Sequence, residues 1–131
     1  MRSLSVSASI TTTFLFFCLL ATAYAPSARA DDNVASMAGI VLSLQHFPSD
    51  ADKAKLAAIA GGDGSDSVKT VANAIAGINH KVSDADKVAL MAIAADEGEP
   101  ADLRQLAGIV AGVNHVPGAE AKAALAPLSG G

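Results

Sequence analysis

The chain of 131 residues has one cysteine, Cys18, one tyrosine, Tyr24, and no tryptophan. A single thiol excludes both an internal disulfide and a thiolate metal cluster. Aromatic residues amount to 4%. Beyond position 30 only Phe47 remains, so stacking platforms for sugars, bases or haem are missing. Basic residues are also few, nine Lys and Arg against thirteen Asp and Glu, for a formal charge of −4. Phosphate backbones require clustered positive charge, which rules out nucleic acid as a partner. No apolar run reaches the ~20 residues that span a bilayer.

The first thirty residues have a composition of their own. Arg2 is followed by an apolar stretch over residues 10–23, centred on Phe14, Leu15, Phe16, Phe17, Leu19 and Leu20, with no acidic residue. That pattern is a secretory signal. Ala23-Tyr24-Ala25 and Ala28-Arg29-Ala30 are both small-x-small cleavage sites. The former would leave Pro26 first, a poor peptidase substrate, so cleavage is expected after Ala30. Cys18 lacks the small residues that precede a lipid-modified cysteine. Removing Arg2 and Arg29 with residues 1–30 takes the charge from −4 to −6, because all thirteen acids lie beyond that point. The mature chain, 31–131, is expected as a single domain in the periplasm or outside the cell, stabilised by packing alone.

That domain repeats itself. His46, His80 and His115 are spaced by 34 and 35 residues, and aligning on them brings the rest into register. Before the histidines stand VASMAGIVLSLQH (34–46), VKTVANAIAGINH (68–80) and LRQLAGIVAGVNH (103–115). Their apolar positions form one face of a helix: Val34, Met37, Ala38, Val41 and Leu44, then Val68, Val71, Ala72, Ile75 and Ile78, then Leu103, Leu106, Ala107, Val110 and Val113. After the histidines, Ser49 and Ser83 stand as N-caps, with Asp52 and Asp86 three residues on in a capping-box pattern. Second helices are therefore expected from Asp50 and Asp84, with apolar pairs Leu56 and Ile59, Leu90 and Ile93, Leu125 and Leu128. Gly61, Gly62 and Gly64, then Gly98 with Pro100, punctuate the linkers. In the third copy Gly118 replaces the cap serine and Pro127 is expected to break the helix, as in a terminal capping repeat. Twenty-three alanines beyond residue 30, with Ser43, Gly77 and Gly112 at equivalent places, predict close helix approach through small side chains. The expected fold is all-α. Three tandem helix-turn-helix repeats (34–66, 67–100 and 101–129) form either a short solenoid or a six-helix bundle.

The histidines are the residues best suited to chemistry. Three imidazoles without thiols suit Zn²⁺, Cu²⁺ or Ni²⁺. Equivalent residues on stacked helices stand roughly 8 to 10 Å apart, so only a closed threefold arrangement lets His46, His80 and His115 share an ion. The competing account, preferred on sequence, is helix capping: Gln45-His46, Asn79-His80 and Asn114-His115 end the first helices, where Asn accepts a left-handed turn and His bonds the last carbonyls. Residues 61–69 (GGDGSDSVK) match the nonapeptide of calcium-binding β-rolls, but a single copy between helices reads as an acidic linker. The carboxylates of the Ser-Asp-Ala-Asp-Lys segments are explained by capping and by surface charge pairs with Lys53 and Lys87. Met37 and Met91 are assigned to the core.

No nucleophile elbow, phosphate-cradling loop or HExxH motif occurs. The sequence therefore predicts a non-enzymatic, exported helical-repeat protein without a cofactor, presenting a surface to another protein or to the cell envelope. Two alternatives stand beside it: a periplasmic metal-binding protein using the three histidines, and an acid-responsive, chaperone-like protein.

Overall fold

A computed structural model describes residues 28–130. The expected signal up to residue 27, with Cys18, lies outside the described residues. The chain is all-helical: α1 (Ala28–Ser43), α2 (Asp50–Ala60), α3 (Asp66–Ala76), α4 (Asp84–Ala95), α5 (Ala101–Ala111) and α6 (Ala119–Leu128). No strand occurs among the described residues.

Helix starts follow the capping chemistry. Ser49 Oγ accepts the Asp52 N–H and Ser83 Oγ the Asp86 N–H, both at 3.1 Å. The hydroxyls in turn donate to the Asp52 and Asp86 carboxylates at 2.7 and 2.6 Å. Aspartate is one methylene shorter than the glutamate of a full capping box, and here its carboxylate takes the serine hydroxyl. Ser65 caps α3 through the Val68 N–H at 3.3 Å. Pro100 and Gly118 begin α5 and α6 with no side-chain bond. Pro127 does not break α6, which continues to Leu128. It sits so close to the end that little of the helix lies beyond it.

Three helices form the centre. The expected stripes of α1, α3 and α5 are all buried, and each of these helices touches the other two. Ala38, Ala72 and Ala107, at equivalent positions, are fully buried, and side chains this small let helix axes draw together. The outer helices contribute less: Leu56 from α2, Leu90 and Ile93 from α4, and Leu125 from α6. Among the described residues no polar or charged side chain is buried.

The tightest helix pairs are α2 with α3, α4 with α5, and α6 with α1. Pairs α1–α2, α3–α4 and α5–α6, which follow each other across the histidines, pack less closely. Each outer helix thus lies against the inner helix that follows it in the chain, or, for α6, against α1. Contact between α6 and α1 brings the first and last helices together, which an open array would keep apart.

Two expectations about small and flexible residues are corrected. Gly77 and Gly112 do not mediate helix contact: they are exposed C-caps of α3 and α5 with right-handed backbone. Gly108, within α5, faces the α4–α5 interface, where an added Cβ would stand at ordinary contact distance, 3.7 Å, from the Ala94 methyl. Met37 is fully buried, whereas Met91 is 53% exposed. Leu90 and Ile93 face the core, so Met91 lies with Val88 on the outer side of α4.

Two substitutions test this hierarchy in urea melts. Leu106→Ala, opening the centre, is expected to cost about 2–5 kcal/mol. Ser83→Ala, removing a cap at the rim, is expected to cost about 1 kcal/mol.

Candidate functional site: the histidine loops

Three loops follow the inner helices, and all lie at one end of the molecule. Each is held between two buried anchors, Leu44 and Pro48, Ile78 and Val82, Val113 and Pro117. The residues between the anchors are exposed in every loop: Gln45, His46 and Phe47, then Asn79, His80 and Lys81, then Asn114, His115 and Val116.

The histidines stand at the middle of these exposed triplets and turn the chain. His80 and His115 have φ of 66° and 68°, the left-handed region that few residues other than glycine enter. Around each turn, the Asn79 N–H donates to the Lys81 carbonyl at 3.4 Å and the Val116 N–H to the Asn114 carbonyl at 2.9 Å. An antiparallel bridge between Lys81 and Asn114 joins the second loop to the third. The His80 N–H donates to the His46 carbonyl at 2.9 Å, and the His115 N–H donates to the His80 carbonyl. Backbone bonds thus tie the three loops in sequence. His46 is not among the positive-φ residues, and it follows Ser43 and Gln45, where Gly and Asn precede His80 and His115.

The imidazoles meet as a result. Ring centres of His46 and His80 are 5.4 Å apart, of His80 and His115 5.5 Å, and of His46 and His115 6.2 Å. The His46 ring meets the other two edge to face, at 75° and 82°, and the His80 and His115 rings are tilted at 59°. This is well inside the 8 to 10 Å expected for neighbours in an open stack. His115 Nδ1 lies 2.9 Å from Asn114 Oδ1. An amide oxygen only accepts, so in this contact Nδ1 is the donor.

Helix capping, preferred on sequence, is not what the histidines do. Helices α3 and α5 stop at Ala76 and Ala111, three residues before Asn79 and Asn114, where the N–H groups of Gly77 and Gly112 take the free carbonyls. Among the described residues no imidazole bonds a helix carbonyl, and the left-handed residue is the histidine, with asparagine before it. In the rotamers present the ring nitrogens do not gather on one point: among the described residues no group of three His, Cys, Asp or Glu is set to hold an ion.

The other sequence candidates resolve into structural roles. Gly61 caps α2 and Ser65 caps α3, so residues 61–65 link two helices, residues 66–69 begin α3, and no parallel turns are stacked. They border a cavity of about 730 Å³ at the opposite end, lined by Val34, Val68 and Leu103 of the inner helices beside Asp31, Glu99 and Asp102. Asp52 pairs with Lys55 at 3.8 Å, and the expected partner Lys53 stands over the Phe47 ring at 5.9 Å. Both contacts are at the surface and of small value. No helix among the described residues is long and apolar enough to cross a membrane. Comparison with protein-family models, curated proteins and solved structures gives no match.

The left-handed turns make a differential prediction. Valine, stiff at Cβ, is disfavoured at positive φ, so His80→Val should cost about 1–2 kcal/mol more than His80→Asn. Comparing His46→Val with His46→Asn should show no such penalty. Chemical denaturation of the four variants checks both statements.

Proposed function

We propose that this chain is an exported, non-enzymatic module of three helical-hairpin repeats, and that the end carrying the histidine loops is presented to a protein partner in the periplasm or outside the cell. The observation that carries this is the loop face itself. Phe47 is 60% exposed and Val116 45% exposed, and both sit on the triplets gathered by the inner helices. Large apolar side chains held outward on a rigid support mark contact surfaces. Phe47 is the one aromatic residue beyond position 30, and aromatics are enriched at the centres of interfaces.

Support for the repeats comes from matching positions: the buried Ala38, Ala72 and Ala107, the buried Pro48, Val82 and Pro117, and the cap positions Ser49, Ser83 and Gly118. Support for export comes from residues 1–30. Helix α1 begins at Ala28, so cleavage after Ala30 would leave a helix starting on two aspartates, which favour a helix N-terminus.

The test is site-specific photo-crosslinking in cells producing the full chain, with the photoreactive side chain at position 47, 116 or 97. Glu97 is exposed in the linker between α4 and α5, beside Glu99 and Pro100 at the opposite end. A single discrete adduct from 47 and 116, absent from 97 and carried by protein beginning at Asp31, is the expected result. Equal labelling from all three positions, or none, overturns the contact face, and retention of residues 1–30 overturns export.

A further inference from the structure

The geometry points to a transition-metal site formed by His46, His80 and His115, taking one borderline divalent ion of the Zn²⁺, Cu²⁺ and Ni²⁺ group. It occupies the same loop face as the proposed contact surface but uses different side chains.

Distance is the first argument. An imidazole nitrogen lies about 2.0 to 2.1 Å from zinc, and three rings bound tetrahedrally to one ion have centres roughly 5 Å apart. The observed separations are 5.4, 5.5 and 6.2 Å. Closing the set requires the rings to turn about their side-chain torsions and shift by roughly 1 Å. All three side chains are exposed, so no core packing resists that turn. The loops, by contrast, are already joined by the backbone bonds from His80 to His46 and from His115 to His80. Ordering the ligand-bearing backbone is thus done by the fold before an ion arrives.

The donor chemistry agrees. A ligating histidine commonly donates its second N–H to an acceptor that sets tautomer and ring direction. His115 has that acceptor in Asn114 Oδ1, which leaves Nε2 free to ligate. Three neutral nitrogens with no thiolate match the borderline ions and disfavour Ca²⁺ and Mg²⁺, which take oxygen. A trio of protein ligands leaves a coordination position open to solvent.

Electrostatics act in the same direction. Helices α1, α3 and α5 all end just before the loops, so three negative helix ends point toward the cluster. Their first turns carry Asp31, Asp66 and Asp102 at the other end. A cation at the histidine end completes this polarity.

The experiment uses chelator-treated, untagged protein as the cell exports it, titrated with Co²⁺ alone and followed by visible absorption. Expected is one equivalent of Co²⁺ with a tetrahedral spectrum, displaced by Zn²⁺. Zn²⁺ should also raise the Tm, since an ion that binds only the folded state stabilises it. His46→Asn, His80→Asn and His115→Asn should each weaken binding by at least about tenfold, and each should abolish the Zn²⁺ effect on Tm. Asparagine is used because it accepts the left-handed turn and spares the backbone. X-ray absorption on the Zn²⁺ form of the unsubstituted protein counts imidazoles without relying on any variant, and three are expected. Absence of binding, binding insensitive to any one of the three substitutions, or a first shell dominated by oxygen overturns the site. None of these outcomes bears on the crosslinks from positions 47 and 116.

Discussion

Packing of α1, α3 and α5 against one another is the contact on which the other features depend. Each inner helix carries its apolar stripe into a shared centre, and alanine at positions 38, 72 and 107 lets the axes draw close. The outer helices cover what remains exposed, α2 on α3 and α4 on α5, and α6 lies on α1. Since no polar or charged side chain is buried there among the described residues, no directional side-chain contact sets the register. Side-chain size and helix length do so, as in other close-packed interiors.

From that centre follows the character of the two ends. Inner helices running side by side in one direction put three N-termini at one end and three C-termini at the other. The acids Asp31, Asp66 and Asp102 stand in first turns, where negative charge is favoured by the helix dipole. The loops carrying histidine leave from the opposite end. An arrangement of antiparallel neighbours would have scattered the histidines between both ends.

The loops themselves show how a short connection is made rigid without regular structure. Buried anchors on either side of each triplet fix where it leaves and re-enters the core. Glycine ends the helices at Gly77 and Gly112 without using a positive φ. The positive φ is placed later, at His80 and His115. A residue held in that conformation is strained unless its surroundings over-determine it. The bonds between loops and the anchors on either side do so, and they hold three polar rings against each other at the surface.

Much of this was legible in the residues. The helical stripes, the serine caps, the starts of α2 and α4 and the all-helical class follow from periodicity and capping, which act over three or four positions along the chain. The three histidines could be singled out from their spacing alone. Sequence reasoning put the left-handed turn on asparagine and made Gly77 and Gly112 packing residues, because both patterns fit residue type and neither reveals where a helix stops. It also assigned Met91 to the core, whereas the outer face of α4 is decided by which neighbour it packs on. Local propensity is carried by each segment separately, so the chain alone determined its helices and most of their buried faces. Which helices pair, that α6 meets α1 and that three rings far apart in sequence lie within 6.2 Å of one another were decided only by the tertiary structure, because an apolar stripe is non-directional and does not specify the stripe against which it will be buried.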